Sequence, residues 1–263
     1  MEKSDIEFAL RSSDQEKWYL EEADILYYMN QGISVIAEDG GRRIGMATAA
    51  LYDRLAWIGN VLVLQEERNR GVGNEMVRFL IDELQQNGVS TIGLYAYDRS
   101  MSLYLREGFT FDTVLWEMCI HETHGKGAAA EGSVGEIVNF DRTFFRHDRS
   151  RMLEHLASRK GARLIVMRDT EISGYLICSP SSPDYGSEIA PFIAERGKIK
   201  EMLASLDAPL PFHIYVPEIN IAYIQENFRC SSVRRMHRGY LGKREEMPVI
   251  DERVLSPGTP DGG

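Results

Sequence analysis

Residues 61–74 read Val-Leu-Val-Leu-Gln-Glu-Glu-Arg-Asn-Arg-Gly-Val-Gly-Asn. They close an apolar run, Leu55 to Leu64, that is too continuous for a solvent-facing strand and therefore reads as a central one. An Arg-x-x-Gly-x-Gly loop follows and leads straight into a helix, so the unpaired amides of the first helical turn converge on one point. That geometry suits an anion, and a pyrophosphate in particular. Gly71 can take dihedrals barred to other residues and lets the backbone approach the phosphate. Gly73 lets the helix start lie close, and Arg68 can add charge. Taken alone, the pattern also fits a tight turn in which glycine serves only the bend.

Working outward, Ile33 to Ala37 and Ile44 to Leu51 flank a Glu-Asp-Gly-Gly turn and read as a hairpin leading into the central strand. After Gly71, Met76, Val77, Leu80, Ile81 and Leu84 recur at helical spacing, and Asn87-Gly88 stops the pattern. Thr91 to Ala96 is strand-like, Ser100 to Arg106 forms a short helix, and Phe109 to Ile120 returns as strand. The order is β, β, β, α, β, α, β. Residues 125–135 are rich in Gly and Ala without a large apolar side chain, and read as a linker between a domain over 1–124 and a second over 136–250. The second half repeats strand and helix signals: helices at 150–159 and 198–206, and strands at 163–167, 174–178, 189–193 and 212–216. Residues 251–263, with Leu255 to Gly263 rich in Gly and Pro, read as a flexible tail.

Two domains agree with the length of 263 residues at about 150 residues each. Hydrophobic residues at 43% and charged residues at 27% describe a folded, soluble chain. Forty acidic against thirty basic side chains, a formal charge of -10, argue against nucleic acid as a partner. No apolar run reaches the roughly 20 residues of a membrane span, and the charged start lacks a signal-peptide pattern, so a cytoplasmic protein that does not engage a membrane is expected. Cys119, Cys178 and Cys230 are odd in number and form no CxxC pair. They suggest buried thiols rather than a disulfide framework or zinc site, and His121-Glu122-Thr123-His124 lacks the HExxH spacing. No metal is expected.

Leu103-Tyr104-Leu105-Arg106-Glu107-Gly108-Phe109 follows the next strand, and with the loop it resembles the GNAT superfamily of acyl-coenzyme A dependent N-acyltransferases over roughly residues 6–122. The resemblance implies a mixed α/β fold, a central mixed sheet flanked by helices, with acetyl-CoA as acyl donor. It implies that Val61, Leu62 and Val63 pair with the pantetheine arm as a further strand would, and that the Val63 amide faces the thioester carbonyl. Arg68, Asn69, Arg70, Gly71, Val72, Gly73 and Asn74 would hold the pyrophosphate, and Tyr104 would protonate the leaving thiolate. Two departures stand out. Tyr97 occupies the place of an asparagine that contacts the cofactor in many relatives, and Thr91 to Ala96 lacks the glutamate that serves some relatives as base. Glu38, Asp53, Asp98 or a group of the second half are the remaining candidates for that role.

From Asn139 to about Tyr240 the chain resembles the C-terminal GNAT-like domain of two-domain acetyltransferases, through Asp141, His147-Asp148-Arg149-Ser150, Gly174-Tyr175, Ile189-Ala190-Pro191, Tyr215-Val216-Pro217 and Asn227-Phe228. Tandem GNAT folds are therefore expected. The second half has Ala194-Glu195-Arg196-Gly197-Lys198 at the loop position, so one cofactor, on the first half, is expected. Buried pairs such as Asp148 with Arg149 are expected to be structural. The implied activity is direct acetyl transfer to a primary amine of a small molecule or peptide. An inactive acyl-CoA binding or sensor module of the same fold is the alternative.

Overall fold

The computed structural model describes residues 1–125, 127–181 and 185–263; Lys126 of the expected linker lies outside them. The chain divides into two compact units that do not follow its halves. The first is Met1–Asp112 with His237–Met247 and Pro260–Gly263, and the second is Thr113–Met236 with Pro248–Thr259.

The first unit opens with α1 (Ile6–Gln15) and α2 (Glu22–Gln31), neither read from the sequence. The Glu21 N–H donates to Asp24 Oδ2 at 2.8 Å, satisfying an end group that α2 leaves unpaired. Strands β1 (Gly32–Asp39), β2 (Arg42–Tyr52) and β3 (Leu55–Val63) form an antiparallel meander. Helix α3 (Val72–Gln86) then crosses over to β4 (Thr91–Ala96), which lies parallel to β3. Helix α4 (Met101–Arg106) leads to β5 (Thr110–Ile120). Met76, Val77, Leu80 and Leu84 of α3 pack on Ala47, Ala56, Ile58, Ile92 and Leu94 of the sheet. Each such leucine contributes about 1.5–3 kcal/mol by leaving water. On the other face Ile6, Phe8, Ala9 and Ile25 pack with Met46 and Leu62.

The second unit holds β6 (Ala130–Glu131), α5 (Val134–Phe145), α6 (Ser150–Ser158), β7 (Arg163–Arg168), β8 (Ile172–Pro180), β9 (Ser187–Ala194), α7 (Ile199–Ala204), β10 (Phe212–Pro217), α8 (Ile221–Asn227), the part of β11 (Cys230–Leu241) up to Met236, and β12 (Val254–Ser256). Its strand order is β6-β7-β8-β9-β10-β5. All neighbours are antiparallel except β9 and β10, which are parallel at Phe212↔Ser187 and His213↔Glu188, the counterpart of β3 and β4.

Each unit's sheet is completed by a strand from the other half of the sequence. Residues His237–Leu241 of β11 pair antiparallel with β4 in the first unit, and β5 pairs with β10 in the second. This exchange is why a boundary placed at a Gly-rich linker does not coincide with the compact units. The linker segment itself is held. Ala130 and Glu131 pair with β7, a Cβ at Gly127 would meet Ser205 Oγ at 2.3 Å, and a Ser133–Glu136 capping box starts α5 inside it.

The expected flexible tail is also corrected. Val254, Leu255 and Ser256 are buried, β12 pairs with β9, the Ala194 N–H donates to Arg253 O at 2.8 Å, and the Tyr215 N–H donates to Ser256 Oγ at 3.3 Å. In the second unit β12 thus bonds to both members of the parallel pair. Arg149 pairs with Asp141 rather than with Asp148, which instead joins Arg142 and caps the Ser150 amide at 2.9 Å.

His213 on β10 is buried, with Nδ1 donating to Glu117 at 3.0 Å, Nε2 3.4 Å from Cys119 Sγ, and the Tyr185 ring stacked at 3.6 Å. Burial alone would lower its pKa, but the Cys119 and Glu117 hydrogen bonds outweigh this and push it up to about 9. A folded-state value above the unfolded one gives stability that is full below about 6.5 and is lost as pH rises through about 9. We expect His213→Gln to cost on the order of 2 kcal/mol at pH 6 and much less at pH 10. Thermal unfolding of both chains across that range checks it, and a pH-independent difference would contradict the charged assignment.

Candidate active site

In the first unit, Leu62 faces Met46 and Gly59 faces Thr48, so Asn60 and Val61 together oppose Ala47 in a β-bulge. Asn60 takes φ 52°, and its Nδ2 donates to Thr48 Oγ1 at 3.0 Å, fixing the bulge. The bulge shifts the alternation of side chains: Ala56 and Ile58 point to α3, and beyond the bulge Val61 and Val63 do. It also parts the strands. β3 pairs with β4 from Leu55↔Thr91 to Ile58↔Leu94 and no further, while Tyr95 and Ala96 pair with Arg238 and His237. The Leu64 N–H donates to Ile44 O on β2 at 2.9 Å. Because successive amides of a strand point to opposite edges, the Val63 N–H points away from β2, along the edge that β4 has left.

The loop then turns through left-handed backbone at Asn69 (φ 63°) and Gly71 (φ 89°). Among the described residues, no amide from Asn69 to Asn74 donates to a backbone carbonyl. A Cβ at Gly71 would meet nothing within 4 Å, so open space lies beside these donors. At Gly73 a Cβ would stand 3.1 Å from Leu103 Cδ1, which is why α3 and α4 can approach so closely there. Asn74 Nδ2 donates to Glu107 Oε1 at 3.4 Å and ties α3 to the end of α4.

Arg68 and Arg70 both make ion pairs. Arg68 Nε donates to Val63 O at 2.9 Å and its guanidinium pairs closely with Glu16, while Arg70 pairs with Glu67. The arginines thus brace the loop, and its main-chain donors face the open space. Glu16, at the end of α1, also receives Arg99 at 3.1 Å. Burial raises its pKa, but Arg68 and Arg99 outweigh that and hold it below the usual carboxylate range. Glu16 was not legible in the sequence, since its role depends on where α1 ends in space.

Tyr104 on α4 is buried and meets the Phe109 ring edge-on at 5.8 Å. Burial raises its pKa, so the phenol is held in its acid form. Of the carboxylates considered as bases, Glu38 and Asp53 are exposed, Asp53 in a left-handed turn at φ 53°. Asp98 accepts from His237 Nε2 at 2.6 Å, a partner that only the strand exchange brings to it. Among the described residues no group of three or more His, Cys, Asp or Glu is placed to hold a metal ion, and no helix is long and apolar enough to cross a membrane.

The profile of the acetyltransferase (GNAT) family matches residues 4–109. The matched stretch lies within the first unit, Met1–Asp112. An acetyltransferase candidate from Pyrococcus horikoshii shares the fold with a TM-score of 0.83 at 22% identity, over 99% of this chain and 93% of that one. A GCN5-related N-acetyltransferase from Kribbella flavida aligns with a TM-score of 0.58 at 13% identity, over 92% of this chain and 70% of that one. One from Anabaena variabilis aligns with a TM-score of 0.59 at 12% identity, over 91% and 70%. At these identities the likeness shows the fold. No curated protein matches the sequence.

Proposed function

We propose that the first unit transfers an acetyl group from acetyl-CoA to a primary amine of a small molecule or peptide. The observation that carries this reading is the parted β3 edge running into a loop of unpartnered amides beside open space. Acetyl-CoA, when bound, supplies the activated carbonyl. Val61 to Val63 offer main-chain groups to an extended arm, and the Val63 N–H is a fixed donor for an oxygen that gains negative charge. The amides from Asn69 to Asn74 would hold the diphosphate. Tyr104, protonated, would give its proton to the thiolate as the C–S bond breaks and the amine nitrogen bonds to the carbonyl carbon. In the second unit β12 already bonds to β9 and β10. That supports one acyl-CoA per chain.

Calorimetry with acetyl-CoA and thiol release across a panel of primary amines test the reading. Binding of one equivalent and amine-dependent thiol release are expected, and absence of binding refutes it. Tyr104→Phe is expected to lower turnover at least about 100-fold with acetyl-CoA affinity unchanged. Unchanged turnover removes Tyr104 from the chemistry. An acyl-CoA binding module without transfer is favoured by one observation, the lack of a carboxylate on β4 (Thr-Ile-Gly-Leu-Tyr-Ala). Thiol release with any amine decides against it.

A further inference from the structure

Where β3 parts from β4, the face of the sheet that carries α2 is covered by residues 260–263 of this same chain. Asp261 passes so near the strand that a Cβ on Gly59 would stand 2.6 Å from its Cα. Tyr28 OH, from α2, donates to Asp261 Oδ2 at 2.9 Å, and Asn60 Nδ2, from the bulge, donates to the same oxygen at 3.4 Å. Tyr52 OH donates to the Gly262 carbonyl, and Gly263 lies on the Trp57 ring, where a Cβ would come within 2.7 Å of Cδ2. All of these residues belong to the first unit. We propose that this is the acceptor pocket and that Pro260–Gly263 are its built-in occupant, which an amine acceptor has to displace.

Two observations set this segment apart from ordinary core. Tyr28, Tyr52 and Trp57 are 2%, 2% and 0% exposed; Tyr95 packs on Trp57 at 4.8 Å and Tyr27 on Tyr28 at 5.4 Å, while the segment laid over them adds two glycines and a carboxylate, which bury little apolar surface of their own. A permanent filling of an aromatic recess would be apolar and would satisfy the polar edges of the rings. Here Trp57 Nε1 is buried without a hydrogen-bond partner among the described residues. The contacts are of the kind a binding pocket makes with a short extended peptide: two hydroxyls and an amide on a carboxylate and a carbonyl, over an aromatic floor. The position fits as well. Gly59, under Asp261, is two residues from Val61, where the unpaired donor edge begins. An occupant of this recess stands beside the Val61 end of that edge, on the face away from α3.

The inference rests on the transferase reading for the word acceptor, but its first test does not. Three proteins are compared: the full chain, the full chain with Asp261→Ala, and the chain shortened after Thr259. Each is titrated calorimetrically with the synthetic peptide Pro-Asp-Gly-Gly and, separately, with acetyl-CoA. The shortened chain and Asp261→Ala are expected to bind the peptide at least about tenfold more tightly than the full chain, since two hydrogen bonds to a carboxylate are removed from the competing segment. Equal peptide affinity in all three overturns the proposal. Should the shortened chain fail to fold, as judged by circular dichroism, Asp261→Ala alone decides. With any amine that supports thiol release, Asp261→Ala is expected to lower KM about five- to tenfold at unchanged kcat, and an unchanged KM overturns the competition. Acetyl-CoA that binds none of the three refutes the transferase reading, while the peptide titration still judges the pocket.

Discussion

Arg149→Met is expected to destabilise the protein by about 3–5 kcal/mol, the largest single effect we foresee. Arg149 and Asp141 are 2% and 1% exposed, and the guanidinium meets the carboxylate through Nε at 3.0 Å and NH2 at 2.7 Å. Tyr175 OH donates to the same carboxylate, and the guanidinium lies 4.1 Å from the Phe145 ring centre. Methionine fills much of the volume but leaves Asp141 charged, buried and without its cation, and that stranded charge, rather than a lost attraction, is the main cost. The third guanidinium arm donates to the Pro257 carbonyl at 2.8 Å, so the segment behind β12 loses an anchor as well. Urea unfolding should show the loss, and hydrogen exchange should speed up over residues 248–259. Arg149→Met combined with Asp141→Leu should recover much of the stability, because no charge is then stranded. A single variant within 1 kcal/mol of the native chain would show that the pair is solvated.

The elements that positioned the loop were legible because each carries a local signal. The α3 stripe Met76, Val77, Leu80, Ile81 and Leu84 is buried as its spacing predicts, and Gly71 takes the left-handed backbone that its place before a helix suggested. The Asn60 bulge was not legible. It depends on Thr48, a strand away, accepting the Asn60 amide, and nothing in Ile-Gly-Asn-Val marks it. Helices α1 and α2 carry no clear stripe because polar residues interrupt their apolar positions; they are completed by Met46 and Leu62 of the sheet.

Long-range partnership explains the larger corrections. A strand's sequence shows that it will pair but not with what, so β5 and β11 read as members of their own halves. Composition misled at the tail in the same way. Gly and Pro signal freedom in an isolated chain, yet Gly263 is glycine because Trp57 leaves no room for a Cβ. Arg68 shows the limit for charge. Its position in the loop suggested an anion ligand, and no local pattern marks the partners the fold gives it, Glu16 and the Val63 carbonyl.

Gly71→Asp is expected to weaken acetyl-CoA binding at least about 100-fold, which corresponds to roughly 3 kcal/mol. Two effects add. Gly71 holds φ 89°, where a side-chain-bearing residue is strained by about 1–2 kcal/mol, less for Asp than for most. The new carboxylate would also enter the open space beside the amides from Asn69 to Asn74, accept their hydrogen bonds itself and repel a diphosphate. Near a protein surface that repulsion is worth about 3–4 kcal/mol at a few ångströms. An acid at the start of α3 is favourable for the helix, which offsets the backbone strain, so the variant should fold with its melting temperature within a few degrees of the native value. Gly71→Ala separates the terms: it keeps the strain, adds no charge, and should cost about 3- to 10-fold in affinity. Calorimetry on the three chains distinguishes the outcomes. Equal losses for Ala and Asp would mean that the backbone turn, and not an anion, is what Gly71 serves, and no loss for either would remove the loop from the cofactor site.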